Sequence, residues 1–99
     1  MLIHCVTVIF KESATSERVA AFDVALAALP AQIELIRETR HGRDLGERPT
    51  NADYALVTAF DDANAFHAYL EHPAHQAVVR DHLAPLADSF HSTQFLVAD

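Results

Sequence analysis

The order β-α-β-β-α-β, an α+β class, follows from three observations on this chain. Short stretches rich in Val, Ile and other β-formers lie near both ends and in the middle. Two intervening segments repeat apolar residues at helical spacing. Proline, glycine and aspartate cluster at the junctions. Four strands so ordered form an antiparallel sheet with helices on one face, the ferredoxin-like arrangement. The 99 residues fit one domain, 1–99, with a modest core.

Leu2 to Phe10 reads as the first strand. Thr15 suits an N-cap, with Glu17 in the first turn, where the helix dipole favours an acid. Val19, Phe22, Leu26 and Leu29 then form one face of an amphipathic helix that Pro30 is expected to end. Ile33 to His41 is the expected second strand, and Gly42 to Asn51 a polar loop broken by Gly42, Gly46 and Pro49. Tyr54 to Phe60 is the third strand. Asp61 or Asp62 can cap a helix through Glu71, with Phe66 and Leu70 inward. Pro73 suits the first turn of another helix, running to about Ala87 and presenting Val78, Val79, His82, Leu83 and Leu86. Pro85 should kink or shorten its end. Phe90 to Val97 closes the sheet.

Composition narrows the partners. A formal charge of -7 argues against nucleic acid or an anionic membrane, which require clustered Lys and Arg. No apolar run approaches the ~18 residues needed to cross a bilayer. The single cysteine, Cys5, excludes an internal disulfide and reads as a small buried hydrophobe. With no basic n-region or cleavage site at the N-terminus, a cytoplasmic location is expected.

Side chains alternate across a strand. His4, Val6, Val8 and Phe10 share one face of the first strand; Ile3, Cys5, Thr7 and Ile9 share the other. Helices can cover only one face. The other, carrying Ile3, Cys5, Thr7, Val57 and Phe95, would leave an apolar patch that soluble monomers seldom tolerate. A homodimer pairing sheet against sheet, two-fold and of standard size, is expected.

The segment Tyr69-Leu-Glu-His72-Pro-Ala-His75 places a phenol and two imidazoles at one helix junction. Imidazole changes charge near neutral pH, and a phenol donates or accepts hydrogen bonds. If His4 reaches that junction, His4, Tyr69 and His75 form a pocket in which an imidazole removes a proton while the phenol stabilises an enolate. Tyr54, His72, His82 and Phe22 are the expected substrate-binding residues around it. The plain alternatives are a hydrogen-bonded structural His4, a His72 that closes the junction and a Tyr69 that packs. His41, His67 and His91 show no converging partners and read as surface residues. No native metal is expected, because no carboxylate is spaced to join His72 and His75. Cys5 faces away from His4, so the two cannot form a nucleophilic pair. No Gly-rich phosphate loop exists.

The opening Ile3-His4-Cys-Val-Thr-Val-Ile-Phe10-Lys11 and the Tyr69-to-His75 segment resemble the Dabb family, the stress-responsive dimeric α/β-barrel domain, essentially end to end. The resemblance implies a ferredoxin-like monomer whose sheet joins a second sheet to form a barrel. One plant branch of that family consists of polyketide cyclases that work by aldol chemistry without cofactors. Their working residues fall on His4, Tyr69 and His75 here. Two readings follow: a cofactor-free cyclase, isomerase, lyase or decarboxylase acting on a small, largely apolar molecule, or a noncatalytic barrel in ligand binding or stress protection. A cofactor-free monooxygenase is a weaker alternative by fold analogy.

Overall fold

The computed structural model describes residues 1–98. Strand β1 (Leu2–Phe10) lies inside the sheet, antiparallel to β3 (Tyr54–Phe60) on one side and to β4 (Ala87–Leu96) on the other. Strand β2 (Glu38–Arg43) adds outside β3, giving the order β2-β3-β1-β4. The helices lie on one face, as the ferredoxin-like expectation requires.

Helix α1 (Ser16–Gln32) starts where Thr15 accepts a hydrogen bond from the Arg18 amide at 3.2 Å, the expected cap. Its Val19, Phe22, Leu26 and Leu29 are buried together with Val8, Tyr54 and Leu56 of the sheet. Burying each large apolar side chain contributes about 1.5–3 kcal/mol, so this stripe fixes the helix on the sheet.

Several boundaries differ from the sequence expectation. Helix α1 continues through Pro30, because a proline this near the end forfeits one N–H while the Ile33 amide still reaches the Leu29 carbonyl at 2.9 Å. Ile33 is therefore a buried C-cap rather than the start of a strand, and β2 begins at Glu38. Gly42 lies within β2; of the expected breakers, Gly46 makes a turn with φ of 80°.

Helix α2 (Ala63–Glu71) is capped by Asp62, whose carboxylate accepts from the Ala65 amide at 2.8 Å. Phe66 and Tyr69 are its buried residues, while Leu70, expected inward, is 38% exposed. His72 ends α2 and begins α3 (Pro73–Val78), accepting the Ala74 N–H at 3.0 Å. The expected single helix to Ala87 is interrupted by a π-turn over Val79–Leu83 before the short α4 (Ala84–Leu86). There the Ala84 amide reaches five residues back to the Val79 carbonyl. Pro85, lacking an N–H, sits in this last turn. Strand β4 starts at Ala87, three residues earlier than expected, and a register shift where it passes Ile9 and Phe10 accommodates the early start.

His41, expected to be a surface residue without partners, is instead tied to α1 and β3. The Tyr54 hydroxyl donates to Asp23. His41 Nδ1 lies 3.0 Å from the same carboxylate oxygen and 2.7 Å from the Tyr54 oxygen. Both neighbours accept, so Nδ1 carries the proton. The Tyr54 bond, before all else, holds the Asp23 carboxyl below its ordinary range, and burial holds the Tyr54 phenol well above its own. This cluster joins one helix to two strands. Tyr54→Phe keeps the ring and deletes the hydroxyl; in urea unfolding it is expected to cost about 1–2 kcal/mol, and an unchanged midpoint would show that the bond adds nothing.

Candidate active site

Strand alternation puts Leu2, His4, Val6 and Val8 under the helices, and His4 is 5% exposed. The break at His72-Pro73 turns the chain so that Tyr69, at the end of α2, and His75, in the first turn of α3, meet over that strand. Tyr69 and His75 have ring centroids 4.3 Å apart, and Tyr69 and His4 6.2 Å apart. Phe66 packs on His4 at 4.8 Å. The three expected residues are thus brought together, within reach of one small molecule.

They line a cavity of about 50 Å³ closed by Val6, Val8, Phe22, Leu26, Leu29, Leu56, Val78, Val79 and Leu83. That volume holds a few waters at about 10–15 Å³ each. Along β4 a shallower groove of about 260 Å³ shares His4, Val6, His75, Val79 and Leu83 with it and adds Leu70, Phe90 and Ser92. Neither lining includes a Lys, Arg or carboxylate.

Of the four expected substrate-binding residues, Phe22 lines the cavity and three do not. Tyr54 pairs in register with Val8, whereas His4 pairs with Thr58. Four residues of strand at about 3.3 Å each separate the two positions. His72 is used as a helix cap. His82 would share a face with His75 in a regular helix, but each extra residue in a turn rotates the downstream residues by about 100°. The π-turn breaks that regularity, and His82 lies outside the cavity lining, beside Arg18, Ala21, Pro85 and Leu86. The sequence reading missed Gln94, whose amide nitrogen lies 2.9 Å from His4 Nδ1. Cross-strand register was the signal, since His4 and Gln94 are direct partners.

Burial governs the electrostatics. It lowers His4 to about 4, the nearby His75 adding to the effect. It also lowers His75, against the opposing hydrogen bond from Nδ1 to the Leu70 carbonyl at 3.3 Å. Tyr69 is pushed up to about 12 by burial, with no hydrogen bond contributing. At neutral pH the site therefore holds two neutral imidazoles and a neutral phenol. It can accept a proton at one ring nitrogen and donate hydrogen bonds to an oxygen. No group of three or more His, Cys, Asp or Glu among the described residues is placed to hold a metal.

The chain belongs to the stress responsive A/B barrel domain family, whose model matches residues 2–97. It is similar to an uncharacterised protein of Streptomyces coelicolor, 47% identical over 62 residues, which are 63% of this chain and 64% of that protein. A dimeric ferredoxin-like protein of unknown function from Thermobifida fusca superposes with a TM-score of 0.89 at 30% identity, covering 97% of this chain and 90% of that one. A hydroxynitrile lyase from Passiflora edulis shares the fold, with a TM-score of 0.87 at 15% identity, 99% of this chain and 94% of that one being covered.

Both histidine shifts carry a stability consequence. The unfolded chain takes up protons as pH falls through the ordinary imidazole value near 6.5, while folded His4 resists until about 4. The unfolded state thus binds more protons in that window. The urea midpoint should fall as pH drops from about 6.5 towards 4, and His4→Phe should flatten that fall. A profile identical in the variant would place the acid sensitivity elsewhere.

Proposed function

We propose that this chain forms a two-fold dimer through its open sheet face and uses the His4–Tyr69–His75 cavity to bind a small, neutral, largely apolar carbonyl compound, shifting a proton on it without a cofactor. The observation that carries the reading is a base and a phenol held neutral side by side in an apolar cavity. His75 Nδ1 donates to the Leu70 carbonyl, so the neutral ring keeps its lone pair on Nε2. That nitrogen removes a proton beside the carbonyl, the electron pair moves onto the carbonyl oxygen, and the Tyr69 hydroxyl donates to the oxyanion. Returning the proton to another carbon isomerises the substrate; attack of the enolate on a second carbonyl closes a ring. The cyclase chemistry implied by the family resemblance belongs to proton-transfer chemistry of this kind.

The linings argue for the substrate class. With no cation in either, a carboxylate or phosphate would be buried unpaired, which is costly. The inner cavity admits a head of a few atoms, against about 300–1,000 Å³ for an ordinary ligand site. The groove past Leu70 and Phe90 must take the rest. The small inner volume favours, as the second reading, a noncatalytic barrel that only binds such molecules.

The dimer rests on the uncovered face. Ile9, Val57 and Phe95 are 42%, 41% and 46% exposed there, and Ile3 pairs with Phe95 while Cys5 pairs with both Val57 and Thr93, in one register. The Thermobifida fusca protein is dimeric. With a lone cysteine on this face, a reducing cytoplasm is the fitting compartment.

Three outcomes test the reading. Deuterium exchange at the α-carbon of cyclohexanone, followed by NMR, should be accelerated by the protein and fall on the order of 10²–10⁴-fold in His75→Ala. Cyclohexanone binding with no accelerated exchange would leave only the noncatalytic barrel. The acceleration should hold across neutral pH and decline in acid as His75 gains its proton, below the ordinary imidazole value because burial lowers it. Val57→Asp should yield a monomer by light scattering at micromolar concentration; a persistent dimer would move the interface off this face.

A further inference from the structure

Gln94 stands opposite His4 across the β1–β4 pair. Its side-chain nitrogen, an NH₂ group, is 2.9 Å from His4 Nδ1. An amide NH₂ can only donate, so Nδ1 accepts and carries no proton. A neutral imidazole holds one proton, which must then be on Nε2. The other histidine is held the opposite way, because a carbonyl can only accept and His75 Nδ1 faces the Leu70 carbonyl at 3.3 Å. Two rings of the same type, lining one cavity, thus present opposite poles: an N–H from His4 and a lone pair from His75.

We propose that Gln94 is a positioning residue that locks His4 as its Nε2–H tautomer, making His4 a hydrogen-bond donor to the substrate oxygen and leaving His75 as the one base. This deepens the proposed proton-transfer reading and rests on it for its use, though not for its geometry. The amide is suited to the task because it never ionises. A carboxylate at the same place would accept from Nδ1, reverse the tautomer and stabilise the imidazolium. His4 would then present a lone pair to the cavity, a second acceptor facing a developing oxyanion. With Gln94, two neutral donors, His4 Nε2–H and Tyr69 O–H, converge on the cavity that holds one acceptor nitrogen. Strand pairing also makes the arrangement rigid, since β1 and β4 fix the two Cα positions.

The tautomer is directly readable. Nitrogen-15 NMR of the ring nitrogens should show His4 protonated on Nε2 in the wild-type protein, on Nδ1 in Gln94→Glu, and as a mixture in Gln94→Leu. The pH at which His4 titrates should rise in Gln94→Glu and leave that of His75 nearly unchanged. As a functional readout, 4-nitrophenol serves as an enolate mimic, its phenolate absorbance reporting binding. Measured above the titration of His4 in each protein, its affinity should be about tenfold weaker in Gln94→Glu, the loss of one hydrogen bond to a charged oxygen. His4 found with its proton on Nδ1 in the wild type, or an unchanged tautomer in Gln94→Glu, would overturn the proposal. A tautomer as stated, together with proton exchange indifferent to His75→Ala, would instead sink the catalytic reading and leave the positioning intact.

Discussion

Desolvation of three polar rings is the constraint around which the rest is arranged. His4, Tyr69 and His75 lie against an apolar sheet face and an apolar helix stripe, where a charge would cost several kcal/mol unless paired. None of the three has a charged partner among the described residues. Burial therefore selects the neutral form of each, and all three shifts point that way. A site of neutral rings can pass a proton and hydrogen-bond to an oxygen, but it offers no cation to pair a carboxylate or a phosphate. The proposed chemistry and the proposed substrate class thus share one physical cause.

The same strand meets a second demand. Because β1 is flanked by β3 and β4, neither of its faces lies at an edge. One is covered by α1 and the α3 segment; the other carries Ile3, Cys5, Thr7 and Ile9 without cover from this chain. Alternation leaves no freedom between the two, since a slip of one residue would carry His4 to the open face and Cys5 to the cavity. The imidazole in the cavity and the aliphatic patch outside are consequences of one register. Packing of Val8 against Phe22 and Leu26 holds that register at one end, and the His4–Gln94 bond holds it at the other.

Period-2 and period-3.6 patterns were legible, and with them the fold, the face assignment of His4 and the stripe of α1. The junction at His72-Pro73 was legible because proline restricts both itself and its predecessor. What a pattern cannot show is phase after an irregularity or partners across the sheet. Ile33 is equally apolar as a helix cap and as a strand start, so β2 was placed five residues early. The π-turn left no mark in the sequence beyond Pro85 downstream, yet it interrupts the helical spacing that would have aligned His82 with His75, and His82 lies outside the cavity lining. His41 finds Asp23 and Tyr54 at sequence separations of 18 and 13, which no local pattern reports. Tyr54 was assigned to the correct face but the wrong level, because alternation tells the side of a strand and not the position of a neighbour along it.

The division between His4 and His75 shows how a symmetric-looking pair of side chains becomes asymmetric without any charge. Each ring has one nitrogen engaged by the scaffold, His4 by an amide donor and His75 by a carbonyl acceptor. The scaffold contact settles what the other nitrogen can offer, as it does for metal-bound imidazoles. Two rings with like contacts would either compete for the same proton or both present N–H groups and leave no base. Opposite contacts give one acceptor and one donor, which a single proton transfer needs at its carbon and at its oxygen. The requirement is geometric and local, so it survives exchange of the groove residues Leu70 and Phe90 that lie beyond the reacting atoms. In the proposed reaction, substrate range would therefore vary with the groove while the chemistry stays with β1, β4 and the helix break.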